Sequence, residues 1–407
     1  MKRLLVANVW FAPRSYGGAT MVAEALARRV AASGDWAVDV LSFSNYGASP
    51  RPALFRTRLA TGGEHWTINL GGERPRDLSF DNPAMTAEIA RLLARLKPDA
   101  AHLHCIQDLG IGLIDALHAA RIPFLLSTHD YWWLCERSFL MDYRGRFCGQ
   151  ERIDPAICAP CVENRGTLAR RRARALEALS RAARITYPSR EARRRHEING
   201  APPERGALLP NGVSPPGPGF AKRPAARLRF GYVGGPGPIK GWPVIERAFA
   251  ALDPQRAELV LVDAATNVGA SWWGAYRFGP LARHVTIVPG YTPGTADEFY
   301  AGVDALFFLS AWPETFGLTT REAALRGVHI VATDCGAPVE PLTDGENATI
   351  LPFGAGAREL RRALSRLVKE GLPSPGPAAR AKLEAEVISP EAQAAALLRL
   401  LEEIAAP

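Results

Sequence analysis

The sequence is poor in cysteine and lacks any long apolar run. Only six of its 407 residues are cysteine, so it does not belong to the cysteine-dense class of small secreted scaffolds. No segment approaches the ~20 apolar residues of a membrane-spanning helix. Asn8 and Arg14 interrupt the short apolar stretch that follows the basic start at Lys2 and Arg3, which predicts a buried strand rather than a signal peptide. We therefore expect a cytoplasmic protein with reduced thiols.

Positive charge exceeds negative charge only moderately, but the basic residues are clustered. The 49 Lys and Arg against 41 Asp and Glu give a net charge of +8, and arginines crowd residues 170–174 and 181–195. This pattern is typical of a solvated helix face. It also suits peripheral contact with anionic lipid at the inner face of a membrane, and both interpretations stay open. With no nucleic-acid motif in the sequence, we expect no nucleic-acid partner.

Strand and helix patterns alternate through both halves of the chain. Predicted strands cover residues 4–10, 36–43, 100–105, 122–128 and 184–188 in the first half, with helices at 19–32 and 83–96. The second half has predicted strands at 228–233, 258–262, 284–288, 305–309 and 328–333. Such alternation predicts an α/β protein with two Rossmann-like, doubly wound parallel sheets.

A proline- and glycine-rich stretch at residues 201–226 separates the two series and is typical of a linker. We expect a first domain over residues 1–222, on the acceptor side, and a second domain over 223–389 that binds the donor, with a cleft between them. The last segment, 390–407, contains a long amphipathic helix that we expect to pack back on the first domain.

Two carboxylates stand eight positions apart across a predicted strand-to-helix turn. Glu314 follows the apolar strand 304–310, and Glu322 lies about one turn into the helix 319–326. Open α/β sheets bind their ligands at the carboxyl ends of the strands, so both carboxylates should face one crevice. The backbone amides at the start of that helix suit a phosphate group; they belong to Phe316, Gly317 and Leu318. Carboxylates that bind hydroxyls beside a phosphate site suit a nucleotide-sugar.

A glycine-rich turn follows the first predicted strand of each half. Gly17 and Gly18 precede the first helix, where glycines let an anion approach backbone amides. The second turn runs from Gly234 to Lys240, and a lysine there would offset the charge that accumulates on a diphosphate during bond cleavage. Taken alone, Gly17 and Gly18 can be explained as a structural turn, and Lys240 as an exposed loop lysine. Their occurrence in both halves is the stronger indication of a phosphate site.

His129 is the best-placed histidine in the chain, because it directly follows the apolar strand 122–128. A histidine at a strand end is often structural, but this position would also let it contact a reacting sugar. We therefore keep His129 as a candidate catalytic residue.

Four of the six cysteines fall within 27 residues, inside a segment of about 131–165 that has few strand signals. Cys135, Cys148, Cys158 and Cys161 are separated by twelve, nine and two residues. The two-residue gap lets two thiolates share one metal ion, and four thiolates could complete a tetrahedral structural zinc site. Unligated thiols, a disulfide and iron–sulfur ligation stay open as alternatives. Because four cysteines leave no open coordination position, we do not expect a catalytic metal.

Together these features resemble the GT-B glycosyltransferases, specifically the retaining glycosyltransferase family 4, over nearly the whole chain. The family's two-glutamate motif matches Glu314 and Glu322. The resemblance is strongest over residues 305–351, where segments 334–340 and 344–346 resemble the loops that follow this motif in the family. Residues 11–18, 209–213 and 240–241 also fit their expected places. The stretch from His129 to Cys135 with its later cysteines resembles a branch of the family that carries a cysteine-rich insertion.

The resemblance implies a role for each candidate residue. Glu314 would bind the donor sugar and Glu322 the ribose, while Lys240 and the amides of 316–318 would hold the diphosphate. His129 would face the sugar. Gly17, Gly18 and Gly234 would lie near the substrates. Family members retain the anomeric configuration, need no divalent metal ion for catalysis, and use a glycan, a lipid-linked glycan or a small molecule as acceptor. The leaving phosphate is thought to accept the proton of the acceptor hydroxyl.

One departure from the family pattern bears on the donor site. Many members carry an arginine where this chain has Gly235, so diphosphate binding would depend on Lys240 alone or on another arginine such as Arg277. Two alternatives therefore stay open. One is a nucleotide-sugar epimerase of similar architecture. The other is a non-catalytic GT-B-like assembly module that acts through a zinc-stapled insertion.

Overall fold

The computed structural model describes residues 1–15, 17–47, 51–72 and 76–405. They form two compact units. The first comprises Met1–Tyr143, Cys148–Gly212 and the segment from Pro390 onward, and the second comprises Arg144–Phe147 and Val213–Ser389.

A largely parallel sheet forms the centre of the first unit. Its described strands are β1 (Lys2–Ala7), β2 (Trp36–Ser44), β3 (Ala53–Arg58), β4 (Glu64–Asn69), β5 (Ala100–Leu103), β6 (Phe124–Ser127), β7 (Arg184–Tyr187) and β8 (Gly206–Leu208). They lie in the order β3-β4-β2-β1-β5-β6-β7-β8. Strand β3 runs antiparallel to β4 at one edge, and the other pairs are parallel.

Helices connect these strands and cover the sheet. They are α1 (Gly18–Ala32), α2 (Arg76–Phe80), α3 (Pro83–Leu96), α4 (Gly112–Ala119), α5 (Pro155–Cys158), α6 (Leu168–Arg181) and α7 (Arg190–Glu197). Helix α3 coincides with the predicted helix 83–96, because its start is fixed locally. The side chain of Asn82 accepts hydrogen bonds from the amides of Ala84 and Met85, and a proline occupies the first turn.

The second unit has a sheet that is parallel throughout its described strands. They are β9 (Leu228–Val233), β10 (Ala257–Asp263), β11 (Val285–Pro289), β12 (Ala305–Phe308), β13 (His329–Thr333) and β14 (Ala348–Leu351), in the order β11-β10-β9-β12-β13-β14. Its helices are α8 (Trp242–Phe249), α9 (Ala296–Ala301), α10 (Leu318–Leu325), α11 (Ala357–Glu370) and α12 (Pro377–Glu386). The predicted class, two parallel-sheet α/β domains, is confirmed.

Each unit has its own apolar core between sheet and helices. In the first unit, Leu103 of β5 and Ile89 of α3 belong to one fully buried cluster. In the second unit, the stacked rings of Phe230 and Phe307, 5.4 Å apart, join β9 to β12 in the buried cluster that also contains Trp242 of α8. These cores hold the carboxyl ends of the strands in place, and the candidate residues lie there.

The last helix, α13 (Pro390–Ile404), belongs to the first unit. Its residues Leu397 and Leu401 are fully buried. Glu402 accepts hydrogen bonds from Lys2 at 2.5 Å and from the Trp36 indole at 3.0 Å. The C-terminal segment is thereby fastened to the first two strands. Among the described residues, no helix combines the length and the apolar character that crossing a bilayer requires.

Candidate active site

Lys240 and Glu314 form an ion pair beyond the carboxyl end of β12. The ammonium of Lys240 lies 2.5 Å from Oε1 of Glu314, and the hydroxyl of Ser310 donates to the same oxygen at 2.6 Å. Glu314 is only 6% exposed, and its amide donates to the carbonyl of Cys335. The carboxylate is therefore held rigidly, whereas the lysine side chain, 39% exposed, can still reach a ligand.

Glycine brings Lys240 close to this strand end. The turn after β9 contains a short 3₁₀ helix, Pro238–Lys240, and then Gly241 at φ +82°. A Cβ on Gly241 would lie 2.2 Å from the carbonyl oxygen of Leu309. Only glycine permits both this backbone conformation and this approach. Gly234, at the start of the turn, is also in close contact: a Cβ there would lie 2.6 Å from the hydroxyl oxygen of Tyr232.

The neighbouring Gly235 is covered by the half-buried ring of Trp272, and a Cβ at this position would lie 3.2 Å from that ring. Asp263, at the end of β10, fixes the loop that carries the tryptophan, because it accepts hydrogen bonds from the Ser271 hydroxyl and the Trp272 amide. Arg277 is exposed and makes no hydrogen bond or ion pair with the residues that the structure describes. Gly235, which stands where the resembled family often has an arginine, is thus packed against a tryptophan ring.

The amino end of α10 is shaped by Gly317 and a buried arginine. Gly317 has φ +80°, and a Cβ there would meet Pro338 at 2.9 Å. The guanidinium of Arg321 donates to the carbonyls of Phe316 and Ala337 and lies 3.8 Å from the centre of the Phe316 ring. This arginine fixes the turn that precedes the helix, including the segment 316–318 predicted to bind phosphate.

Glu322, on α10, is held by two tyrosines. Its Oε2 accepts hydrogen bonds from the hydroxyls of Tyr291, at 3.1 Å, and Tyr300, at 2.9 Å. Burial raises the pKa of Glu322, and the two tyrosine hydrogen bonds oppose that rise. The tyrosines occupy one carboxylate oxygen and leave Oε1 without a hydrogen bond to the described part of the chain, so this oxygen can accept one from a ligand hydroxyl.

In the first unit, His129 lies two residues beyond the end of β6 and forms a cluster with His104 and His102. Its Nε2 is 2.8 Å from Nδ1 of His104, and the ring of His104 lies 4.0 Å from that of His102. Burial lowers the pKa of His129 to about 4. The adjacent Asp130 accepts hydrogen bonds from Gln107 and from the Trp132 amide, and burial raises its pKa to about 6. At neutral pH His129 is therefore an uncharged hydrogen-bonding group.

The first glycine turn precedes α1, as its position after β1 predicts. Gly17 has φ +83°, and the helix begins at Gly18. The neighbouring hydroxyl of Ser15 donates to the buried carboxylate of Glu24 at 2.5 Å, which fastens the turn to the helix. Tyr16 lies outside the described residues.

The predicted zinc site is not supported by the structure. All four cysteines line one cavity, namely Cys135, Cys148, Cys158 and Cys161, and their thiols are free. Within the described residues, however, no group of three or more His, Cys, Asp or Glu side chains is arranged to hold a metal ion. Two of these thiols are affected by the protein groups around them. Burial raises the pKa of Cys135 to about 11, and Gln150 donates to the sulfur of Cys158.

Many of the clustered arginines are neutralised within the first unit. Arg174 and Arg181 of α6 both pair with Asp115 of α4. Arg194 and Arg195 of α7 both pair with Glu151. These contacts favour the interpretation of the basic helices as intramolecular ion-pair networks.

The structure therefore brings Lys240 to Glu314 and places Glu322 on the helix that follows, within one unit. His129, Gly17 and Gly18 belong to the other unit. Sequence reasoning missed the residues that hold these groups in place: Ser310, Tyr291, Tyr300, Arg321 and His104. In the sequence, these residues are marked only as polar side chains among apolar neighbours, and that does not show which residue each one contacts.

Comparison with known families agrees with this geometry. Residues 16–216 match the model of Glycosyltransferase Family 4, and residues 227–370 match that of Glycosyl transferases group 1. The chain is therefore a glycosyltransferase with a family 4 domain followed by a group 1 domain. No curated protein sequence matches the chain.

Solved structures show the same GT-B fold at low sequence identity. Sucrose-phosphate synthase from Thermosynechococcus elongatus is 16% identical, with a TM-score of 0.67 and 99% of each chain covered. The trehalose-phosphate synthase of Burkholderia xenovorans, in complex with glucose-6-phosphate, is 13% identical, with a TM-score of 0.64, covering 99% of this chain and 100% of that one. Anabaena HepE, in complex with UDP and glucose, is 17% identical, with a TM-score of 0.59, covering 100% of this chain and 98% of that one.

Proposed function

We propose that this glycosyltransferase moves a sugar from a nucleotide-diphosphate donor to an acceptor hydroxyl with retention of anomeric configuration, and that the donor binds to the second unit. The observation that carries the proposal is the ion pair of Lys240 with the buried Glu314. It lies beyond strand β12, which is followed along the chain by the glycine-shaped amino end of α10.

Each group of the second unit suits one part of such a donor. An ammonium has three N–H donors, so Lys240 can keep its bond to Glu314 and still donate to a diphosphate. Oε2 of Glu314 can accept from a sugar hydroxyl, and Oε1 of Glu322 from a ribose hydroxyl. The amides of Phe316, Gly317 and Leu318 would face the phosphate as helix amino ends do. Gly234 would let the donor approach the backbone.

The transfer step proposed here needs no protein nucleophile. The bond between the anomeric carbon and the diphosphate oxygen breaks, the bond to the acceptor oxygen forms on the same face, and the acceptor proton passes to the leaving diphosphate. Lys240 stabilises the charge that develops on that diphosphate. In this step Glu314 binds the donor and does not attack it; Lys240 and Ser310 hold one of its oxygens in place. In the first unit, His129 would contribute a neutral hydrogen bond to the reaction.

The acceptor is a glycan, a lipid-linked glycan or a small molecule. UDP-sugars are the first donors to test, because HepE, which shares the fold, was solved with UDP and glucose. A panel of UDP- and GDP-sugars is incubated with the full chain and a set of glycan and small-molecule acceptors, and release of nucleoside diphosphate is measured with and without EDTA. We expect release from at least one donor, unchanged by EDTA, and an NMR spectrum showing retained configuration in the product. Inverted product or dependence on a divalent ion would overturn the corresponding part of the proposal.

A further inference from the structure

His104 is buried in the first unit at the carboxyl end of β5, and its side chain makes one hydrogen bond to the residues that the structure describes. Its Nδ1 lies 2.8 Å from Nε2 of His129, and the two rings are nearly parallel, at 15°. The residue is 2% exposed. Its other ring nitrogen, Nε2, has no hydrogen-bond partner in the described part of the chain.

This arrangement limits where the protons reside. In a hydrogen bond between two neutral imidazoles, one nitrogen carries the proton and the other accepts it. If Nδ1 of His104 accepted, the proton of His104 would be on Nε2, which would leave a buried N–H without an acceptor. Buried donors without a partner are rarer in proteins than buried acceptors without one. The favoured arrangement therefore has His104 donating from Nδ1 to Nε2 of His129.

The charge state of the cluster supports the same assignment. Burial lowers the pKa of His102 to about 3 and that of His129 to about 4, and it lowers that of His104 well below its usual value. All three rings are consequently neutral near pH 7. With Nε2 of His129 acting as acceptor, the single proton of that ring must be on Nδ1.

We propose that His104 is a positioning residue that fixes His129 as its Nδ1–H tautomer, so that His129 acts in the transfer reaction as a hydrogen-bond donor. The part concerning the reaction rests on the function proposed above. The part concerning the tautomer rests only on the buried contact between the two rings. Sequence reasoning gave no role to His104, because nothing in its spacing from His129 reveals the contact.

The tautomer is measured directly on the full chain by NMR of ¹⁵N-labelled histidine, with the His129 signals assigned by their loss in His129→Gln. We expect the shift pattern of an Nδ1–H imidazole in the wild type. In His104→Leu, which removes the donor, we expect population of the Nε2–H form. In His104→Asn, whose amide can donate from a position close to that of Nδ1, we expect the Nδ1–H form to be restored. An Nε2–H pattern in the wild type would overturn the inference.

Kinetics separates the inference from the proposed function. With an active donor, we expect His104→Leu to lower kcat by about 100-fold, as displacement of a catalytic group does, with the donor KM changed less than about threefold. His104→Asn should recover most of the loss, and His118→Asn on the exposed face of α4 serves as the matched control. Equal losses in the Leu and Asn variants would refute the positioning role. An Nδ1–H wild type that transfers no sugar from any donor would refute the proposed function but leave the tautomer assignment intact.

Discussion

Lys240 and Glu314 are 74 positions apart in the sequence, and their charged groups lie 2.5 Å from each other. The glutamate is buried and the lysine partly exposed. The lysine therefore both neutralises a buried carboxylate and presents a cation to a bound ligand. Removal of the lysine should therefore lower both the unfolding free energy and the affinity for a nucleoside diphosphate, and each effect can be measured by itself.

For Lys240→Ala we expect UDP affinity to fall about 10–100-fold, which corresponds to one charge-assisted hydrogen bond of about 1.5–3 kcal/mol. The unfolding free energy should fall by about 1–2 kcal/mol, because Glu314 stays buried without its cation. Calorimetry and chemical denaturation measure the two effects. Adding Glu314→Gln should restore stability but not binding. The exposed Lys369→Ala on α11 is the control, and a similar affinity loss there would contradict the assignment.

For Glu322→Ala we expect the affinity for a nucleoside diphosphate to fall at least about tenfold, since the carboxylate should accept from a ribose hydroxyl. Tyr300→Phe should give a smaller loss, because it removes only one of the two hydroxyls that hold the carboxylate. Titration with UDP and with 2′,3′-dideoxy-UDP tests the contact. The ratio of the affinity for UDP to the affinity for the dideoxy analogue should be smaller in Glu322→Ala than in the wild type. Glu370→Gln on α11 should bind both normally; an unchanged ratio in Glu322→Ala would refute the ribose contact.

Alanine substitutions at two glycines of the second unit distinguish the effect of backbone strain from the effect of steric contact. Gly241 and Gly345 both have positive φ, but only Gly241 is in close contact, at 2.2 Å from its hypothetical Cβ to the Leu309 carbonyl oxygen. Alanine at Gly345 should cost about 1–2 kcal/mol of unfolding free energy, the usual price of a left-handed residue with a Cβ. Alanine at Gly241 should cost more and should also weaken UDP binding, because the turn that carries Lys240 must shift. Equal stability losses would show that the contact with Leu309 is unimportant.

Gly235 and Trp272 form a pair that a double-mutant cycle can resolve. A Cβ at Gly235 would lie 3.2 Å from the Trp272 ring, so Gly235→Arg should displace the ring and destabilise the loop after β10. In the background of Trp272→Ala, the same arginine should be tolerated and should increase UDP affinity by adding a cation near the diphosphate. The coupling free energy follows from thermal unfolding and calorimetry of the four proteins. Additive effects would mean that the two residues act independently.

Acid stability should depend on the buried His196. Burial lowers its pKa from 6.5 to about 4, so the unfolded chain binds its proton first as pH falls. The contribution of the neutral His196 to the unfolding free energy is complete above pH 6.5. It is lost between about pH 6.5 and 4, by about 3 kcal/mol in total. Asp130 acts in the opposite sense below pH 6, because burial raises its pKa.

The unfolding free energy should therefore decrease less steeply between pH 6.5 and 5 in His196→Asn than in the wild type, even if the variant is less stable at pH 7. Urea denaturation at a series of pH values measures the slope. The exposed His118→Asn should keep the wild-type slope. Identical slopes in all three proteins would contradict the expected role of His196.

Much of the architecture is predictable from the sequence because its signals are local. Helix α3 begins where Asn82 and Pro83 fix its first turn, and β9 coincides with the predicted strand 228–233. Strands β3 and β4 are not predicted. Their sequences mix charged and apolar residues, and they pair at an antiparallel edge that an Arg56–Glu64 ion pair supports. The predicted linker 201–226 likewise contains the short edge strand β8.

The candidate site is predictable only in part, for a physical reason. Glycine turns and strand-end carboxylates follow from local sequence, and they led to Lys240, Glu314 and Glu322. The groups that hold them in place come from distant elements. Tyr291 follows β11, 31 positions before Glu322, and no periodicity connects the two. The cysteine spacing, in contrast, suggested a metal centre that the described thiols do not form.

The position of α13 has a consequence for how the protein is made. The first unit receives its final helix only after Val213–Ser389, the main segment of the second unit, has been synthesised. At about 5–20 residues per second, the apolar surface that Leu397 and Leu401 cover would stay bare for roughly ten to forty seconds on the ribosome. Aggregation can compete with folding while this surface is bare, and a stop codon just after Ser389 would destabilise the half of the protein that is translated first.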